Sequence, residues 1–167
     1  MKQYVYKLSL ATHTTTLTKK MPENTHFYLA DSSLPVIKKL PLFIKRFGFS
    51  VSLLKLLLRL TLKKNAFYFL IYQNNIVNDG LISFNFCRHY KINKGDCVIG
   101  PVNTDPSYQG KGFATIGLLS CINALKCCNK FEHVFIDTKE NNIAMQKVIN
   151  KCGFGTHIEE FERDNNY

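Results

Sequence analysis

Acid is what this chain lacks most plainly: it carries 12 Asp and Glu against 22 Lys and Arg, and residues 34–65 hold eight of those cations with no carboxylate. That stretch accounts for +8 of the formal +10, so the basic character is local rather than a property of the whole surface. The six cysteines (87, 97, 121, 127, 128 and 152) lack C-x-x-C spacing, which argues against a zinc site or a disulfide framework and leaves free thiols. No metal is expected. The longest apolar stretch, 51–62, is broken by Lys55 and Arg59 and falls well short of the ~20 residues that span a bilayer, so no membrane span is expected. After Met1 and Lys2 comes the mixed run Gln3-Tyr4-Val5-Tyr6-Lys7, without the apolar segment or cleavage pattern of a secretory leader, and a cytoplasmic location is the expectation. Nor is there an internal repeat, a low-complexity segment or a linker. The chain therefore reads as one domain over 1–167, with a strand-containing N-terminal extension of about 1–25. Its 46% hydrophobic and 13% aromatic residues suffice for a sizeable core.

Periodicity then places the elements. Residues 4–10 and 26–30 read as short strands joined by a threonine-rich loop around Thr14-Thr15-Thr16. Asp31-Ser32-Ser33 offers N-cap chemistry, and Pro41 and Gly48 punctuate the residues after it, so 33–64 reads as two helices. In the second, Lys55, Arg59 and Lys63 recur every four residues and draw one narrow cationic stripe, with the rest of the helix expected to be covered. Residues 67–72 and 81–87 form a hairpin about Asn74-Asn75 or Asn78-Asp79-Gly80, with Ile82, Phe84 and Phe86 on one face, and 97–104 adds a third antiparallel strand. The pattern changes after Gly112 to a helix, a strand at 133–137, a helix at about 142–151 closed by Gly153, and a last strand at 156–161. Antiparallel strands followed by strand, helix, strand, helix, strand make a mixed α/β sheet.

The stretch Gln109-Gly110-Lys111-Gly112-Phe113-Ala114 lies where the strand at 97–104 gives way to the helix beginning near Thr115. Glycines at 110 and 112 remove side chains, so that successive N–H groups and the positive end of the helix can approach an anion. Thr115 stands where the dinucleotide fingerprint requires its third glycine, and G-x-x-x-x-G-K-[ST] is absent, which excludes both common nucleotide folds.

What remains is Gln/Arg-x-x-Gly-x-Gly/Ala, matched by Gln109, Gly112 and Ala114. It is followed by Asn141-Asn142-Ile143-Ala144 and by Val148-Ile149-Asn150-Lys151-Cys152-Gly153-Phe154. In that order, with a strand between, these motifs resemble the GNAT superfamily of acetyl-CoA-dependent N-acetyltransferases, most sharply over residues 66–154. The resemblance implies a mostly antiparallel sheet splayed at an acetyl-CoA site and flanked by helices on both faces. It also implies that the N–H groups of Gly110, Lys111, Gly112, Phe113, Ala114 and Thr115 hold the CoA pyrophosphate. Backbone groups of Val102, Asn103 and Thr104 would pair with the pantetheine arm, and the Asn142 amide would reach it. An N-cap role for Asn142 is compatible with that one. A bulge near Gly100-Pro101 would help the strand to splay.

Direct attack of an amine on the thioester makes positioning the main contribution. In many family members a tyrosine seven residues after the helix asparagine protonates the departing thiolate; here that position is Ile149, which leaves water, Cys152 or another group for the task. Asp137, ending its strand at the expected splay, is the candidate general base; His89 and His133 are weaker ones. The basic block, on the acceptor side by resemblance, favours an acidic acceptor such as a nucleotide-linked amino sugar, and the run 99–106 looks like family members from bacterial surface-polysaccharide pathways. Two other readings stay open: a protein N-terminal acetyltransferase, which the helix ending in Cys152-Gly153-Phe154 also resembles, and an acetyl-CoA-binding sensor without transfer, marked by Ile149. No nucleic-acid partner is expected, and a homodimer is left open.

Overall fold

A computed structural model describes residues 1–14, 21–62 and 65–163. Thr15 and Thr16 of the threonine-rich loop, and Lys63 and Lys64 of the basic block, lie outside the described residues. In chain order the elements are β1 (Lys2–Ser9), β2 (Thr25–Ala30), α1 (Leu34–Lys38), α2 (Leu40–Phe47), α3 (Val51–Thr61), β3 (Asn65–Tyr72), β4 (Asn75–Phe84), β5 (Asp96–Thr104), α4 (Phe113–Cys128), β6 (His133–Lys139), α5 (Ile143–Lys151) and β7 (Glu159–Glu162). The strands form one open, mostly antiparallel sheet in the order β2-β3-β4-β5-β6-β1-β7, with β5 and β6 the parallel pair. This is the mixed α/β architecture expected from the sequence. Among the described residues no helix is long and apolar enough to cross a membrane.

Alternation along β3 assigns the two helical layers. Phe67, Phe69 and Ile71 point one way, into a cluster with Phe43 of α2 and with Leu53 and Leu60 of α3. Tyr68 points the other way, against Leu118, Leu119 and Ile122 of α4. A strand buried on both faces needs apolar residues at every position, which is why 66–71 reads as a continuous run. The hairpin turns at Gln73 and Asn74, both left-handed with φ of 46° and 59°. Asn78-Asp79-Gly80 is instead the middle of β4, where Gly80 leaves room for the Tyr68 ring. Phe86, expected to share a face with Ile82 and Phe84, lies beyond the strand and is 67% exposed.

The segment 33–64 makes three helices rather than two, because both punctuating residues act. Lys39 leaves helical geometry at φ −112° just before Pro41 opens α2, and Gly48 at φ 66° closes it. Ser50 then caps α3, its hydroxyl accepting from Leu53 N–H at 3.4 Å. The covering of α3 also differs from expectation. Leu53 and Leu60 are buried, but Val51, Leu54, Leu58 and Leu62 are 57–68% exposed alongside Lys55 and Arg59.

Strand β1 lies between β6 and β7, antiparallel to both, from Gln3 opposite Lys139 to Ser9 opposite His133. The N-terminal segment is thus an interior strand of the sheet's second half.

A buried polar group ties α2 to β4 and β5. Asp79, 1% exposed, accepts from the Asn103 amide at 3.1 Å and faces Arg46, whose guanidinium also reaches Asp105 at 3.5 Å. Burial outweighs these partners and pushes the Asp79 carboxyl from 3.8 up to about 6. Between those two values the folded chain binds a proton that the unfolded chain has released, so stability falls as pH rises through this window. Asp79→Asn, which keeps an acceptor for the Asn103 amide, is expected to remove from that slope a part on the order of 2 kcal/mol. Urea denaturation at several pH values between about 4 and about 6.5 measures it, and an unchanged slope contradicts the assignment.

Candidate active site

The sheet opens where β5 and β6 part. They pair only through Asp96–His133, Cys97–Val134 and Val98–Phe135, after which each strand continues without the other. On the far side of β5 the register with β4 shifts between Gly80 and Ile82, so that Gly100 and Pro101 stand opposite Leu81 alone. That bulge falls at the place the proline predicts, since proline cannot donate to a ladder, and it lies just past the end of the β5–β6 pairing.

Backbone groups facing the gap follow from the ladder. Asp105 N–H donates to Val77 O at 2.9 Å, and hydrogen-bonded and non-bonded pairs alternate along an antiparallel ladder. Asn103, opposite Asp79, therefore turns its N–H and C=O toward β4. Val102 and Thr104, opposite Gly80 and Asn78, turn theirs toward the gap. The wholly buried Asn78 steadies this end of β5, donating its amide to Asn103 O at 2.7 Å and to Thr104 Oγ1 at 3.1 Å. Gly117 of α4 allows that approach, because a β-carbon there would collide with Asn78 Oδ1.

Beyond Thr104 the chain makes one 3-10 turn over Pro106–Tyr108 and enters the glycine turn. Gly110 and Gly112 have φ of 73° and 88°, a conformation that costs L-residues with a β-carbon. A β-carbon added at Gly110 would meet no atom within 4 Å, so the space over the turn is open. The Ile116 N–H donates to Gly112 O at 3.1 Å as the first rung of α4, and the N–H groups preceding it are those a helix start leaves without helical partners. Phe113 is 3% exposed against Tyr72 and Tyr108, so only its backbone faces outward. Lys111 folds back over its own turn, donating to Ser107 O at 2.9 Å with its ammonium 4.9 Å from the Tyr108 ring centre. Gln109 is exposed at the entrance to the turn.

Between the parted strands lies a cleft of about 580 Å³. Val102 and Asn142 line it; Asn103, Thr104 and the turn from Gln109 to Thr115 lie outside it, along the course of β5 toward α4. Asn142 caps α5, its Oδ1 accepting from Met145 N–H at 3.2 Å, and Met145 also lines the cleft.

Asp137 stands two residues past the last β5–β6 pair and lines the cleft. Burial raises its carboxyl above the usual range, opposed by a hydrogen bond from Tyr90 and by the charges of Arg163 and His89. The Tyr90 hydroxyl donates to Asp137 Oδ1 at 3.3 Å, and burial beside that carboxylate drives the phenol far above its ordinary value, so it stays protonated. His89 lines the cleft as well, its ring stacked on Phe161. His133 is at the closed end, its Nδ1 at 2.9 Å from Asp96 Oδ1, and takes no part in the lining. Ile149 and Cys152 are wholly buried in the core, and burial pushes the Cys152 thiol up to about 12, which makes it a poor proton donor to a leaving thiolate.

The charge of the cleft comes from an unexpected quarter. Of the described cations in the block 34–65 only Arg59 lines it; Arg88, Lys139 and Arg163 supply the others, and Asp137 is the single carboxylate among the described residues of the lining. Tyr90, Arg88 and Arg163 carry no motif, and only the path of the loop after β4 and of the C-terminal strand brings them here.

Comparison with known proteins agrees with this geometry. No curated protein matches the sequence. The fold resembles an aminoglycoside acetyltransferase, meta-AAC0020, from an uncultured soil metagenomic sample and solved with trehalose, at a TM-score of 0.64 and 16% identity over 89% of this chain and 99% of that one. It likewise resembles AAC(6')-Iy with the bisubstrate analog CoA-S-monomethyl-acetylneamine, at 0.61 and 14% over 84% of this chain and 98% of that one. A tandem GNAT protein of the clavulanic acid biosynthesis pathway matches at 0.63 and 12% over 93% of this chain and 50% of that one. The family model described as Acetyltransferase (GNAT) family matches residues 36–154, and with the parted strands, the glycine turn and the capped α5 in place, the chain belongs to the GNAT family of acetyltransferases.

Proposed function

We propose that this enzyme transfers the acetyl group of acetyl-CoA to a primary amine carried by an acidic small molecule, of which a nucleotide-linked amino sugar is an example. The observation that carries the reading is the parting of β5 from β6 after Val98 and Phe135, which leaves the backbone of Val102 and Thr104 facing the gap between the strands rather than a partner. The pantetheine arm adds to β5 there as an extra strand would. Its pyrophosphate rests on the N–H groups of Gly110 to Thr115, at the positive end of α4. The Asn142 amide faces the arm from the opposite wall while its oxygen caps α5.

In the transfer, the amine nitrogen bonds to the acetyl carbon, the carbon–sulfur bond breaks and CoA leaves as thiolate. Asp137, with its raised carboxyl pKa, accepts the amine proton through water, and Tyr90 orients it by donating to Oδ1. A backbone N–H of β5 polarises the carbonyl. Four cations against one carboxylate among the described residues of the lining favour an acidic acceptor and disfavour a polycationic one.

Three outcomes are expected. Gly112→Asn and Gly112→Asp both fill the same left-handed position, but only the second places a carboxylate against the pyrophosphate. It should weaken acetyl-CoA binding tenfold or more beyond Gly112→Asn in calorimetry, and equal affinities would remove the pyrophosphate assignment. Asp137→Asn should lower kcat by about 10²-fold with little change in acetyl-CoA affinity, and should flatten the rise of rate with pH that an ionising base produces. A thiol-release assay across amines should favour acidic acceptors over polycationic ones at least tenfold. Thermal stabilisation by CoA with no thiol released from any acceptor would instead make the chain a sensor.

A further inference from the structure

Apart from Arg59, which lines the cleft, the outer face of α3 takes no part in it, and no described part of the chain covers its apolar stripe. Val51, Leu54, Leu58 and Leu62 recur at three- and four-residue spacing and form one stripe, with exposures of 67%, 58%, 57% and 68%. Phe49, in the turn leading into the helix, is 90% exposed. Lys55 and Arg59 run along one side of the stripe. The opposite face is anchored: Leu53 and Leu60 are buried in the cluster with Phe43, Phe67 and Phe69, so the helix cannot turn its leucines inward. Large apolar side chains gathered on one exposed surface mark a contact site rather than ordinary surface scatter.

Charge decides the occupant. The segment 34–65 has eight cations and no acid. A second copy meeting this face about a two-fold axis would set Lys55 and Arg59 against their own equivalents with no carboxylate from the segment to compensate. An anionic lipid surface meets both features at once, taking the leucines and the phenylalanine into the acyl boundary while Lys and Arg stay at the headgroups. At 11 residues α3 is about 16 Å long, too short to cross a bilayer and suited to lie in its surface.

We infer that the exposed face of α3, with Phe49, docks the protein on anionic membrane surfaces. Binding is apolar and electrostatic together, so neither part suffices alone. This inference is independent of the acetyl-transfer reading, because it is measured without acetyl-CoA or acceptor.

The test is co-sedimentation of the full chain with vesicles of phosphatidylcholine containing about a quarter phosphatidylglycerol, against pure phosphatidylcholine, at low and high salt. Wild type should sediment with the anionic vesicles at least tenfold more strongly than with the neutral ones and should be released by salt. Leu54→Ser/Leu58→Ser and Phe49→Ser should each lose most of that binding. Because these side chains are exposed, circular dichroism and the thermal melting temperature should stay at wild-type level. Wild type that ignores anionic vesicles overturns the inference. So does binding that survives the leucine substitutions, which would reduce it to adsorption by charge, and so does a dimer in sedimentation velocity that the same substitutions dissolve while vesicles are not bound, which would give the face to a second copy.

Discussion

Three rungs of parallel pairing hold the two halves of the sheet in register, and the site depends on there being no fourth. If Ile99 continued to pair as Val98 does, the backbone of Val102 and Thr104 would be spent on β6 and nothing would remain for an added strand. The bulge at Gly100-Pro101 removes that option from the β4 side, by shifting the register so that two residues of β5 answer one of β4. The halves are then joined by their common core rather than by the ladder. Ile99 of β5, Ile136 of β6 and Leu118 of α4 are all buried in one cluster, so α4 bridges the part of the sheet that hydrogen bonds do not.

Beside the opening, the end of β5 is held by buried side chains of β4. Asn78, wholly buried, takes up Asn103 O and Thr104 Oγ1 from one face. Asp79 takes up the Asn103 side chain from the other and is held by Arg46. Arg46 thereby connects α2 with β4 and, through Asp105, with the turn leading to the glycines. A buried carboxylate with an elevated pKa costs stability at neutral pH, and it sits where α2 meets β4 and β5.

Much of this was legible in the residues. Gly110 and Gly112 require conformations a β-carbon resists, and Asn142 has the side chain of an N-cap, so both announce their backbone roles locally. The order of strands and helices followed from the change of period after Gly112. What escaped were properties set by contacts distant in sequence. The meeting of Tyr90 with Asp137 spans 47 residues and involves a loop without periodicity. The basic block looked like the wall of the acceptor site, yet of its described cations only Arg59 reaches the cleft, because α2 spends Arg46 on the buried Asp79 and on Asp105, and α3 turns Lys55 outward. The leucines of α3 suggested a covered helix. A count of apolar residues does not reveal that the layer beneath has room for only one face of them.

The place of β1 could not be read at all, since a strand of alternating pattern gives no hint of its neighbours. Its position imposes an order on folding. Strand β1 has no neighbour in the sheet until β6 has been made, more than a hundred residues later, and β7 in turn pairs with β1. The hairpins of β3, β4 and β5 can form from near neighbours while β1 waits. Asp137, paired across to Val5, therefore acquires its final setting only when β1 and β6 meet, a contact between segments far apart in the chain.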